Sequence, residues 1–367
     1  MSPSSPPVQN VRERLAEHTL TLLKIPSVTG NETALTKHLE RWAVELPGLG
    51  HDDVVRYGNA LVVGNPDELR PCIALVGHTD TVPPHDGDLG AERQGDRITG
   101  LGASDMKGSL AVMQVLAETL DLANLPFSLM LVFYDREEGP YKENGLQPLL
   151  ERCESLRDID LALAMEPTDN TLQLGCVGSL HAKVVFHGKA AHSARPWQGE
   201  NAVHKAGPFL TSLANRPSRE VNVHGLVFRE AIGVTLAQGG RARNVVPERF
   251  ELNVNYRFAP TEGADEAAIG EIKRLAKGAE VQITDVSPAG PIPENNPIYE
   301  HLQRLSGLPV EPKQAWTDVA RLATFGIDAI NFGPGMGAQA HQKGEWISLD
   351  AMLRAYGILR QVLTTPL

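Results

Sequence analysis

Histidines and carboxylates stand at the ends of apolar runs in this chain, in types and spacings suited to divalent-metal chemistry. His78-Thr-Asp80 follows one run, Glu137-Glu138 a second and Glu166 a third, while Asp105 lies in GLGASDMKG and His341 in AQAHQKGE. Imidazole nitrogen and carboxylate oxygen bind zinc at ~2.0–2.2 Å, and two ions ~3.5–4 Å apart need a shared carboxylate with two or three further donors each. His78, Asp105, Glu138, Glu166 and His341 meet that requirement. Asp105 is the natural shared group, because a glycine-rich turn can carry the backbone up to the ions. A one-metal enzyme, or a metal-free fold in which Asp105 is a helix N-cap, stays open at this point. Asp80, two residues from His78, is suited to accept a hydrogen bond from the ring's other nitrogen and so fix its tautomer.

The adjacent glutamates of LVFYDREEGP pose a separate problem. A strand points neighbouring side chains to opposite faces, so only a turn, which Gly139-Pro140 favours, brings both to one pocket. Two carboxylates in one cavity raise each other's pKa unless a cation neutralises them. With a metal present, one of the two glutamates can be a ligand and the other a general base that takes a proton from water and passes it to a leaving nitrogen.

The elements that must position these groups are legible as pattern. PCIALVG (71–77), FSLMLVFYD (127–135) and LALAM (161–165) are nearly continuous apolar runs, as expected of strands buried on both faces. Helical spacing at 9–24, 31–46, 107–122 and 143–153 alternates with them and predicts an α/β fold with a mostly parallel sheet. In such sheets ligands gather at the strand carboxyl ends. After Cys176 the pattern changes: LHAKVVFHG alternates, then come a helix at 201–213, strands near 232–237 and 249–258, a helix at 264–277 and a strand at 279–285. That order is a ferredoxin-like α+β unit. PAGPIPENNP (288–297) is the expected return linker, followed by helices at 298–306, 317–325 and 350–363 and a short strand in 328–335. The expected organisation is a metallohydrolase catalytic domain, 1–177 with 290–367, interrupted by a smaller domain, 178–289.

Charge and composition narrow the function. The net charge of −11 leaves no basic field for nucleic acid. MSPSSPPVQNVRERLAEH has no basic n-region before an apolar core and no segment has the length of a membrane span, so a cytoplasmic protein without a membrane partner is expected. Cys72, Cys153 and Cys176, an odd number widely spaced, are expected to be small core residues.

With these residues in view, the sequence resembles the di-zinc aminoacylase, carboxypeptidase and desuccinylase superfamily, and within it the actinobacterial desuccinylase group. The resemblance spans nearly all of the chain and rests on GHTDTVP (77–83), GASDMKGSLA (102–111), EEG (137–139), MEPT (165–168), HGKAAHSARPWQGENAVHK (187–205), RNVVP (243–247), NYRFAP (255–260), WTDVAR (316–321), NFGPG (331–335) and AHQKGE (340–345). It implies two Zn2+, with Co2+ or Mn2+ as alternatives in place of one or both. His78, Asp105 and Glu166 would serve one ion; Asp105, Glu138 and His341 would serve the other. Glu137 would be the general base and Asp80 the carboxylate behind His78. It further implies a homodimer formed through the inserted domain, with His192 polarising the scissile carbonyl across the dimer and Asn244, Arg243 and Arg257 contacting substrate.

The implied reaction is hydrolysis of a small N-acyl amino acid, N-succinyl-LL-2,6-diaminopimelate going to succinate and LL-2,6-diaminopimelate in lysine biosynthesis. One departure bears on the acyl group: Gly175-Cys-Val-Gly178 stands where the proteobacterial desuccinylases carry two arginines. Acetylornithine deacetylase, another N-acyl-amino-acid deacylase, or a dipeptidase or carboxypeptidase therefore stay open.

Overall fold

Cys72–His78, Ser128–Tyr134 and Leu161–Ala164 are strands buried along their whole length, as their unbroken apolar composition demands. They form the parallel centre of an eight-stranded sheet in the computed structural model, which describes residues 8–67, 69–88 and 90–367. The strand order is Val54–Tyr57, Ala60–Val63, Ser128–Tyr134, Cys72–His78, Leu161–Ala164, Ala329–Asn331, Leu172–Leu174, Val310–Pro312. Pairing is parallel from Ser128–Tyr134 through Ala329–Asn331 and antiparallel outside that centre at Val54–Val63 and Leu172–Leu174. The sheet is therefore mixed. The tight turn at Gly58-Asn59, with Gly58 at φ 65°, folds Ala60–Val63 back on the preceding strand and makes that edge antiparallel.

Register decides where the chemistry lands. His78 pairs with Tyr134, and Val76 pairs with Ala164. The residues after all three strands consequently emerge side by side at one edge. The helix Gly108–Thr119 is almost wholly buried, packing with Val8–Leu23 and Leu349–Thr364.

The chain divides into two compact units. Unit 1 takes the described residues through Gly175 with Ile292–Glu311 and Thr317–Leu367; unit 2 takes Cys176–Pro291 and Pro312–Trp316. Residues 312–316, which the sequence pattern puts in the catalytic domain, pack with unit 2, where the Trp316 indole N–H donates to Pro288 O at 2.9 Å. Unit 2 is a five-stranded antiparallel sheet ordered Arg219–Val223, Leu226–Gly239, Arg249–Phe258, Gly178–His187, Glu280–Ser287. The helices Ala202–Ala214 and Ala264–Leu275 contribute Phe209, Leu213, Ala268 and Ile272 to its core, against Val184, Leu252 and Val254. Removing the first strand leaves the ferredoxin-like arrangement. The extra strand is joined by a two-residue turn, His224-Gly225, in which both residues have positive φ.

Cys72, Cys153 and Cys176 are buried free thiols. No helix among the described residues is long and apolar enough to cross a membrane.

Two ion pairs give direct tests of this framework. In unit 1, Arg321 and Asp318 are each about 1% exposed and bonded at 2.7 Å, and the Asp318 carboxylate also accepts from Tyr134 and Asn144. Arg321→Ala leaves a buried carboxylate without its cation, and urea unfolding should show a loss of about 3–5 kcal/mol; a loss below about 1 kcal/mol overturns that role. In unit 2, hydrogen bonds from Arg274 and Arg216, against a smaller burial effect, lower the Glu271 pKa from 4.5 to about 2. A carboxylate with a depressed folded-state pKa stabilises above its unfolded pKa and loses that contribution as pH falls through the folded value. Thermal unfolding of Glu271→Gln against the unaltered chain should show a gap of no more than about 1 kcal/mol at pH 7. The gap should close as pH falls from 4.5 towards 2; a gap unchanged at pH 2 excludes the linkage.

Candidate metal centre

At the edge defined by the sheet register, two donor groups share one carboxylate. His78, Asp105 and Glu166 place one donor atom each within 4.8 Å of one another, and so do Asp105, Glu138 and His341. A third overlapping group, His78, Glu137 and Glu138, joins them. His78 Nε2 lies 3.1 Å from Asp105 Oδ1, His341 Nε2 3.6 Å from Asp105 Oδ2 and 2.9 Å from Glu138 Oε1. His78, Asp105 and Glu166 are buried, whereas His341 is exposed. Nitrogen and oxygen donors around a shared carboxylate are the chemistry of a two-metal site for a divalent ion such as zinc.

Asp105 lies in the turn Ala103–Lys107, with φ −125° and ψ 88°, ahead of the helix Gly108–Thr119. The residue directly before that helix is Lys107, so Asp105 is not its N-cap. Two glycines of NFGPG allow the neighbouring backbone to close on this turn and on Glu166. A Cβ at Gly335 would lie 2.2 Å from Ser104 O, and one at Gly333 would lie 2.5 Å from Glu166 O. Either contact is shorter than van der Waals packing permits.

The adjacent glutamates leave the strand through a turn that begins with Arg136 at φ 60°. A non-glycine residue pays a conformational cost there, and the hydrogen bonds that offset it come from Asp80. The N–H of Glu137 donates to Asp80 Oδ1 at 2.9 Å, and the N–H of Glu138 donates to Asp80 Oδ2 at 3.0 Å. Thr29 Oγ1 also donates to Oδ2, at 2.9 Å. The atom nearest His78 Nδ1 is the main-chain oxygen of Asp80 at 3.0 Å, with the carboxylate at 3.6 Å. Asp80 thus touches the imidazole mainly with its backbone and holds the glutamate turn with its side chain, a duty its spacing from His78 does not reveal.

Electrostatics follow from this crowding. Burial, then the charges of Glu166, Asp318 and Glu138, push the Glu137 carboxyl well above the carboxylate range, with His78 opposing. Burial works against a charged His78, yet hydrogen bonds to Asp105 and Asp80 and the charge of Glu137 raise it well above its usual value. The hydrogen bond that His341 donates to Glu138, against burial, raises the imidazole to about 9. So many carboxylates around two imidazoles are reconciled by protons or by cations, and divalent ions displace the protons.

The structure holds one further group that the sequence pattern misses. Glu345 is buried, and its carboxylate accepts the N–H groups of Gly102, Ser104 and Asp105 at 2.7, 2.7 and 2.8 Å. Burial pushes it up to about 7 against those donors. Its signal in the sequence is only its place at the end of AHQKGE, four residues after His341.

The other expected site residues lie in unit 2. His192 bridges Val245, and the N–H of Ser193 donates to Asn244 O at 2.9 Å, so His192 and Asn244 sit on two loops joined to each other. Arg243 is exposed. Arg257 is half-buried in the strand Arg249–Phe258, where its Nε donates to Asn255 Oδ1 at 3.1 Å and, among the described residues, no carboxylate pairs with it.

Comparison with known proteins agrees across the chain. A model of peptidase family M20/M25/M40 matches residues 74–365. A putative succinyl-diaminopimelate desuccinylase of Mycobacterium tuberculosis is 36% identical over 350 residues, covering 95% of this chain and 97% of that protein. The succinyl-diaminopimelate desuccinylase of Corynebacterium glutamicum is 33% identical, covering 94% and 95%. The fold is also like that of a tripeptidase from Staphylococcus aureus, with a TM-score of 0.78 at 21% identity over 96% of this chain and 98% of that one.

The two bonds from the glutamate turn to Asp80 make a prediction. Asp80→Asn keeps the side chain's size but turns an amide NH2 towards the N–H of Glu137 or Glu138. Metal titration of the variant should show affinity weakened about 10–100-fold; unchanged affinity removes Asp80 from the support of the site.

Proposed function

Because the chain belongs to peptidase family M20/M25/M40 and is a metal-dependent amidohydrolase of it, we propose that it cleaves the linear amide of a small N-acyl amino acid, N-succinyl-LL-2,6-diaminopimelate before others. The observation that carries this reading is the pair of donor groups sharing Asp105, with Glu137, half-buried, beside them. The named desuccinylases at 36% and 33% identity over nearly the whole chain support the succinyl substrate.

His78, Asp105 and Glu166 would hold one zinc ion, and Asp105, Glu138 and His341 would hold the other. When bound, the ions polarise the amide carbonyl and make water acidic enough to attack near neutral pH. Glu137 is the proton carrier. Its N–H is fixed by Asp80, which leaves the carboxylate to accept a proton from the attacking water and deliver it to the departing nitrogen, so that free amine and carboxylate result. Before any ion is bound, burial and the neighbouring carboxylate charges push the Glu137 carboxyl well above the carboxylate range. His192 donates to the developing oxyanion. Arg257, a half-buried guanidinium without a carboxylate partner among the described residues, pairs with a substrate carboxylate, and Asn244 and Arg243 add donors. The active form is a cytoplasmic homodimer.

The replacement of the arginine pair by Gly175-Cys-Val-Gly178 favours an acetyl substrate as the second reading. Mass spectrometry of zinc-loaded protein with N-succinyl-diaminopimelate, N-acetylornithine and a few dipeptides separates them. The succinyl substrate should be turned over fastest; a strong preference for either of the others replaces the first reading. Glu137→Gln should keep two ions per chain while turnover falls at least about 100-fold, and near-normal turnover with both ions bound rules out Glu137 as the proton carrier.

A further inference from the structure

Glu345 is a buried carboxylate with no catalytic duty in the scheme above, and, among the described residues, no cation pairs with it. Its two oxygens accept three main-chain N–H groups of one turn: Oε2 from Gly102, and Oε1 from both Ser104 and Asp105. Its own backbone is equally fixed, because its carbonyl accepts from Gly100 N–H at 2.9 Å and the next residue begins Trp346–Ser348, paired with Arg97–Thr99. The same segment carries His341 four residues earlier. That stretch is fastened again where the Met336 N–H donates to Ser104 Oγ at 2.6 Å and where His85 Nε2 lies 3.1 Å from His341 O.

We propose that Glu345 is a positioning residue of the two-metal centre: it acts through Asp105, holding the main chain of the shared carboxylate and tying it to the segment that presents His341. The proposal rests on the two-metal reading. It follows from geometry, since Asp105 must aim both carboxylate oxygens at once, towards His78 Nε2 at 3.1 Å and His341 Nε2 at 3.6 Å. The backbone of the turn sets where that side chain starts and so limits its aim. Three converging donors require two acceptor oxygens. Glutamine offers one and turns an NH2 towards an N–H; aspartate, one methylene shorter, falls short of a turn whose distance is set by the flanking strands.

The test uses metal-free full-length protein titrated with Zn2+ and with Co2+, whose visible spectrum reports ligand geometry. The unaltered chain should take up two ions. Glu345→Gln should bind at least one of them 10–100-fold more weakly, shift the cobalt bands and lower kcat with KM within about threefold, while its metal-free unfolding midpoint stays close to that of the parent. Glu345→Asp should change in the same direction. Two ions bound by Glu345→Gln with unchanged affinity and spectrum overturn the role of Glu345 alone. An unaltered chain that takes up fewer than two ions overturns the two-metal reading beneath it. Failure of both variants to fold without metal assigns Glu345 to the fold and overturns the proposal.

Discussion

The carboxylate of Asp80 is the constraint on which the site depends. Buried beyond the end of one central strand, it accepts the two amide hydrogens of the turn that leaves the next, at 2.9 and 3.0 Å. The parallel sheet brings those strand ends together but does not say which way the chain turns after them. Asp80 decides that. It pins the turn in which donor atoms of Glu137 and Glu138 come within 4.8 Å of each other and of a His78 nitrogen. The left-handed backbone at Arg136 is held by the same bonds.

Around that constraint the molecule gathers carboxylates whose mutual repulsion is costly when buried. The chemistry turns the cost into a division of labour. Glu138 meets His341 at 2.9 Å, whereas burial and the charges of Glu166 and Asp318 push the Glu137 carboxyl well above the carboxylate range. In the proposed two-metal centre, bound divalent ions would relieve the crowding at the donor atoms and leave Glu137 beside them to hold a proton.

Much of this was legible in the sequence because it is local. Unbroken apolar runs identified the central strands, and polar groups directly after them identified the donors. The Gly139-Pro140 pair indicated the turn that lets both glutamates face one way. What escaped depends on partners distant in sequence. The hairpin Val54–Val63 and the small sheet of Glu92–Gln94, Arg97–Thr99 and Trp346–Ser348 are too short for periodicity to register. The edge strand Arg219–Val223 of unit 2 hides behind a His-Gly turn, a weaker signal than Asn-Gly. Asp80 was placed by its spacing from His78, yet its side chain serves residues far along the chain. Glu345 has no local signal at all, since its three donors lie before residue 106 and nothing in AHQKGE reports them.

The placement of the donors along the chain also gives the site a birth order. His78, Asp105 and Glu166 are made before the first residue of unit 2, while His341 and Glu345 follow its last. At ordinary elongation rates the first donor group waits on the order of tens of seconds for the second. During that interval the nascent chain offers an incomplete chelate, with Asp105 unsupported from the far end of the sequence. Completion of the site thus waits until unit 2 has been made and the strand Ala329–Asn331 has become available to extend the central sheet.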